Sequence, residues 1–241
     1  MLSRYAIIGL MSLFAGQAVA DQGHVTILFH VRPPYAEQDS GKKVTGTLAD
    51  PAVRALEKAG MTADWIEMPP ARQTEEIKRA KSAVCGLGWF KRPEREAFAV
   101  FTDAIYRDQP TVAVARRKDA RFSDGMSLRD SFRDRARTLI VKTSYSYGAT
   151  IDSWIRELRP NAEDSTGDDA LLLGMIAQSR VDYGIMAPEE AENLLRFNAE
   201  LRAALRIVRL GDAPVGEARH LMCSKTTPAE LIARLNEALA P

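Results

Sequence analysis

Short continuous apolar runs alternate along this chain with segments whose apolar residues recur every three or four positions. Residues 25–29, 63–67, 84–88 and 111–115 read as strands, and residues 48–59 and 71–81 as the helices between them, the first ended by Gly60. The pattern then repeats with a strand at 139–142 and a helix carrying Tyr147, Ile151, Trp154, Ile155 and Leu158 until Pro160 stops it. A helix through Leu171, Leu172, Met175 and Ile176, a strand at 181–186 and a helix opened by Pro188 follow. Near the end, Thr227-Pro-Ala-Glu230 reads as a capping box with proline at the first helical position, and Leu231, Ile232, Leu235 and Leu239 form the apolar face of a last helix. Strand and helix in regular succession predict an α/β protein with mainly parallel pairing. The charged stretch 116–137, anchored only by Phe122, Met126, Leu128 and Phe132, reads as a solvated connector with a short helix.

The first residues do not belong to this pattern. Arg4 precedes an apolar run over 5–15, and small residues end in Ala18-Val19-Ala20. That order is a secretory signal peptide, cut after Ala20. The run is too short to cross a hydrocarbon core of about 30 Å, and no cysteine follows it to take a lipid. The mature chain is therefore expected to begin at Asp21 as a free protein outside the cytoplasm. The whole sequence has 33 basic and 32 acidic residues, and losing the leader removes one arginine and no acid. A near-neutral balance gives no basic surface of the kind nucleic-acid binding needs. Cys85 and Cys223 each sit in a strand-like run. In an oxidising compartment they either bond to each other or stand as two buried thiols, and the residues alone leave both open.

Enzymatic signatures are missing at the places where they are sought. There is no GxGxxG, and Gly41-Lys42-Lys43 lacks both a glycine at Ala36 and the hydroxyl residue of a phosphate-binding loop. Ser144 occupies the position at which a nucleophile elbow around Ser146 would need glycine. His24, His30 and His220 lack metal-ligand spacing, so no metal, cofactor or catalytic residue is assigned.

What remains is an ordered set of short motifs. It runs Arg32-Pro-Pro-Tyr35, Gly46, Asp50, Pro69-Pro-Ala-Arg72, Cys85-Gly-Leu-Gly-Trp-Phe-Lys-Arg-Pro-Glu-Arg95, Phe101-Thr-Asp-Ala-Ile-Tyr106, the stretch 143–148, and Gln178-Ser-Arg-Val-Asp182. This order resembles the family 3 extracellular solute-binding proteins. The resemblance implies a two-lobed, type II periplasmic-binding-protein-like α/β fold with two crossover strands, near 111–115 and 219–224. Lobe one would take residues 21–110 and the return 219–241, and lobe two residues 111–218. It implies a periplasmic monomer that closes on a small molecule and passes it to a membrane ABC permease. It also makes Cys85 and Cys223 neighbours, which favours the disulfide.

The same resemblance supplies the candidate ligand site. Arg95 matches the arginine that holds a ligand carboxylate, a task suited to the planar guanidinium fork. Tyr35, Trp89 and Phe90 are candidate walls, Arg72 a candidate at the cleft edge, and Ser144, Tyr145 and Ser146 candidates from the second lobe. Asp50 reads as the cap of the first helix. Two positions depart from amino-acid-binding relatives, which carry a hydroxyl residue at Phe90 and an acid at Ala187. Without that acid an ammonium group lacks its partner, unless Glu189 or Glu190 takes over. The expected ligand is thus a small carboxylate, amino-acid-like or an organic acid. The alternatives are a periplasmic enzyme resembling the dehydratases of cyclic dienyl acids, and a sensory binding protein.

Overall fold

A computed structural model describes residues 23–143 and 145–240. The expected leader, its cleavage point and Ser144 lie outside the described residues. The first half runs β1 (His24–Phe29), a small hairpin of β2 (Glu37–Gln38) and β3 (Val44–Thr45), α1 (Ala49–Lys58), β4 (Thr62–Glu67), α2 (Pro70–Arg79), β5 (Val84–Phe90), α3 (Pro93–Glu96) and β6 (Ala99–Arg107). The middle runs β7 (Val112–Arg116), α4 (Leu128–Arg133), β8 (Leu139–Lys142), α5 (Ala149–Leu158), β9 (Ala162–Ser165), α6 (Asp169–Ala177), β10 (Tyr183–Met186), α7 (Pro188–Phe197), α8 (Ala199–Ala204) and β11 (Leu205–Arg209). The chain then returns through β12 (Ala218–Ser224) and α9 (Ala229–Leu239).

These strands make two five-stranded sheets, ordered β4-β1-β5-β12-β6 and β11-β7-β10-β8-β9. Each is the centre of one lobe. The pairing is mixed rather than mainly parallel. β1 lies parallel to β4 and β5, but the returning β12 runs antiparallel to β5 and β6. In the second sheet β8 is parallel to β9 and β10, while β7 is antiparallel to β10 and β11. Both expected crossover strands belong to a single sheet each, and the crossing itself is made by the flanking segments 108–111 and 210–217. Those segments lie against each other, with the Asp108 N–H donating to the Glu217 carbonyl at 3.0 Å. A Cβ on Gly216 would fall 1.8 Å from the Asp108 carbonyl oxygen, so only glycine permits this approach.

Apolar side chains fill both faces of each sheet. In the first lobe Cys85 and Cys223 face each other across β5 and β12, fully buried, and form a disulfide. The four anchors of the charged stretch, Phe122, Met126, Leu128 and Phe132, all pack into the second lobe's core. That stretch is less a solvated connector than expected. Arg116 and Arg121 both donate to Asp182, at 2.7 and 2.6 Å, and tie the segment to the end of the lobe.

Two caps differ from expectation. Asp50 stands in the first turn of α1 rather than at its cap, and its carboxylate accepts the Gly46 N–H at 3.2 Å. It therefore pins the turn where Gly46, at φ 128°, lets the chain pass the Tyr35 carbonyl. Pro228 sits at the cap of α9 rather than its first residue, and the Thr227 hydroxyl pairs with Ser224 instead of capping the helix.

Candidate functional site

The ends of β1 and β5 in the first lobe face the loop after β8 and the first turn of α7 in the second. Two adjoining hollows of about 660 and 650 Å³, open solvent at their mouths included, lie between them and share Arg32, Phe90, Tyr145, Ser146 and Arg219 as walls. Of the residues singled out by sequence, Tyr35, Trp89, Phe90, Arg95, Tyr145 and Ser146 line the larger one. Arg72 does not, because it lies on the exposed face of α2.

Arg95 is held on the short turn of α3, which Pro93 starts directly after β5. Its Nη1 donates to the Phe90 carbonyl at 2.9 Å, and its guanidinium lies 4.8 Å from the centroid of the Trp89 ring. The Trp89 indole N–H in turn donates to Gln73 Oε1 at 3.1 Å, which fixes the ring under the arginine. No carboxylate pairs with Arg95 among the described residues. Burial, and then the nearby Arg92, pull its proton affinity below the usual guanidinium value, against the smaller opposing pull of Glu94 and Asp152.

Sequence reasoning did not assign roles to four residues that complete the cleft: His30, Arg32, Lys142 and Arg219. Arg32 makes a two-pronged ion pair with Glu190, Nη2 to Oε2 at 2.5 Å, and this pair spans the lobes. Glu190 holds the Arg32 guanidinium firmly protonated, while burial pushes the Glu190 carboxyl up. Arg219 reaches from β12 to Asp108 through two bonds at 2.6 and 2.7 Å and lies 4.4 Å from the Phe90 ring centroid. Lys142 pairs with Asp169 at 3.1 Å. His30 Nε2 and the Tyr145 hydroxyl meet at 3.0 Å across the lobes. Burial, and then Arg32, Lys142 and Arg219, lower the His30 pKa to about 4, so the ring is neutral at pH 7.

Other contacts between the lobes surround these. The Tyr106 hydroxyl donates to Glu189 at 2.5 Å, and the Tyr35 hydroxyl to the same carboxylate at 3.4 Å. Ser146 accepts from Arg92 at 3.0 Å and donates to Asp152 at 2.5 Å. Glu189 and Glu190, the acids considered as ammonium partners, are therefore engaged by tyrosine hydroxyls and by Arg32. The two lobes touch across the cleft through Arg32–Glu190, Arg219 and Lys142 are paired within their own lobes, and Arg95 has no ion-pair partner among the described residues.

Two sheets joined by two short segments around a charged cleft are the periplasmic-binding-protein-like fold. The structural neighbours confirm it. A structure of an ancestral arginine-binding protein bound to arginine superposes with a TM-score of 0.70 at 18% identity, covering 90% of this chain and 91% of that one. A structure describing glutathione import through GshT and the cystine ABC importer TcyBC of Streptococcus mutans gives 0.71 at 14% identity, covering 90% and 87%. The ancestral amino acid-binding protein AncCDT-1, a precursor of cyclohexadienyl dehydratase, gives 0.66 at 18% identity, covering 90% and 89%. No protein-family model matches the chain, and no curated protein matches it.

Proposed function

We propose that this protein is a secreted solute-binding protein that captures a small carboxylate between its lobes and delivers it to a membrane ABC permease. The observation that carries this reading is Arg95, a guanidinium without a carboxylate partner in an aromatic cavity at the junction of two lobes. A carboxylate there receives charge-assisted hydrogen bonds and removes the one imbalance of the cavity. Tyr145 and Ser146 reach the same cavity from the second lobe, so a ligand on Arg95 bridges both lobes and favours the closed form over the open one. The neighbours named above include binding proteins for arginine and amino acids, which favours capture without turnover.

A thermal-shift screen of organic acids, amino acids and amines tests the reading. A ligand at 100 times its Kd adds about 2.7 kcal/mol of stability, and the gain should fall to about half or less in Arg95→Ala. Turnover of prephenate or arogenate by the purified protein would overturn the capture reading in favour of an enzyme.

A further inference from the structure

The Arg95 cavity contains positive charge and no negative charge. Its charged lining residues are Arg32, Arg95 and Arg219, and no aspartate or glutamate is among the described residues that line it. Arg32 and Arg219 are each saturated by a two-pronged pair, with Glu190 and Asp108, and both carboxylates line only the adjoining cavity. His30 also lines the Arg95 cavity, and its hydrogen bond with Tyr145 and three cationic neighbours leave it neutral. One unit of positive charge is left, on Arg95. That guanidinium spends Nη1 on the Phe90 carbonyl, whereas its Nε and Nη2 donate to nothing among the described residues. This second edge is the pair of parallel donors that a carboxylate accepts. Around it the cavity presents the apolar side chains of Phe29, Leu48, Leu87, Trp89 and Phe90.

We propose that the ligand is a monocarboxylate with a flat, apolar body and no ammonium group, rather than an α-amino acid. This rests on the reading of the Arg95 cavity as the ligand site. An α-ammonium carried in with the carboxylate would face three guanidinium groups and no lining carboxylate among the described residues, and the Phe90 carbonyl is already bonded to Arg95. It would lose its water without gaining a counter-charge. A second carboxylate fares little better, since the other two arginines are already neutralised. An aromatic body, in contrast, packs among Phe29, Leu48, Leu87, Trp89 and Phe90 and buries apolar area.

Matched ligand pairs that differ only in the ammonium group test this, measured by thermal shift and isothermal titration calorimetry on the protein recovered after secretion. The pairs are phenylalanine and 3-phenylpropionate, tryptophan and indole-3-propionate, and leucine and 4-methylpentanoate, with phenylethylamine, acetate and glutarate as controls. The expected result is that the des-amino member of each responding pair binds at least 100-fold tighter and that the aromatic acids surpass 4-methylpentanoate, acetate and glutarate. Phenylethylamine should not bind, and Arg95→Ala should weaken binding by at least tenfold, with Arg95→Lys restoring only part of it. An amino acid that binds as tightly as its des-amino partner, through Arg95, overturns the exclusion of ammonium and leaves carboxylate capture standing. Acetate or glutarate binding as tightly as the aromatic acids overturns the flat apolar body. If no carboxylate stabilises the protein, or Arg95→Ala responds undiminished, the capture reading falls and this inference with it.

Discussion

Glu190→Gln separates a contact of the closed cleft from an ion pair that holds a lobe together. Arg32 follows β1 in the first lobe and Glu190 stands in the first turn of α7 in the second, so their pair exists only while the lobes face each other. The two side chains are 16% and 2% exposed. An amide keeps the shape of the carboxylate but leaves a guanidinium buried without counter-charge. Removing one member of a buried pair costs about 3–5 kcal/mol, which is roughly 150- to 5,000-fold in the ratio of closed to open molecules. The open form escapes the cost because Arg32 regains water there. The expected outcome is a larger radius of gyration by small-angle X-ray scattering and a weaker ligand affinity. The unfolding free energy should fall by no more than the free energy that favours the closed form over the open one, because unfolding then starts from an open molecule whose lobes are intact. Replacing both partners, Arg32→Met with Glu190→Leu, should restore closure, since an apolar pair of similar volume leaves no buried charge. The reasoning is refuted if Glu190→Gln lowers the unfolding free energy by several kcal/mol with an unchanged scattering profile.

Three further outcomes follow from the same geometry. Arg95→Ala should weaken carboxylate binding by at least tenfold, since hydrogen bonds to a charged group contribute about 1.5–3 kcal/mol, with a Tm near wild type in the absence of ligand; titration calorimetry and a melting curve check both. The disulfide closes a loop with a sequence separation of 138, so the Cys85→Ser, Cys223→Ser double variant should lose about 5 kcal/mol in the chain-entropy model, read from urea unfolding beside the oxidised protein. His30 titrates at about 4 in the fold against 6.5 when free, so its contribution to stability is complete above pH 6.5 and is withdrawn as the pH falls from 6.5 towards 4. At about 1.4 kcal/mol per pH unit the loss is roughly 3 kcal/mol. The difference between wild type and His30→Gln isolates it from Glu190, whose raised carboxyl acts in the opposite direction; equal pH profiles for the two proteins would show that the ring does not titrate this way.

Much of the fold was legible because burial imposes a period on the sequence. β1, β5, β7 and β10 are nearly continuous apolar runs, since both of their faces are covered. β9 carries no such signal: Ala162–Ser165 is a polar edge strand, exposed along most of its length. β6 and β11 mix charged and apolar positions and were passed over for the same reason. The returning β12 was expected, but its antiparallel insertion between β5 and β6 is what makes the first sheet mixed.

The site divides along a similar line. Trp89, Phe90 and Arg95 sit within seven residues of one another on β5 and the turn after it, so a local motif is enough to bring them together. The pairs that decide the cleft's charge are not local. Arg32 and Glu190 are 158 residues apart, His30 and Tyr145 are 115 apart, and Arg219 and Asp108 are 111 apart. Each member alone is an ordinary polar residue in a loop or at a strand end. Yet these pairings determine which charges are available to a ligand. Of four cationic side chains near the cleft, Arg32, Lys142 and Arg219 are neutralised by carboxylate partners, and Arg95 has none among the described residues. Ala187 sharpens the same point. It lines the adjoining cavity beside Glu190, not the one that holds Arg95, so the absence of an acid there matters less than the lack of an ion-paired carboxylate on Arg95 itself among the described residues. Which cation is left without a partner is thus set by pairings both within and between the lobes, and it becomes readable only once the folded chain brings those distant residues together.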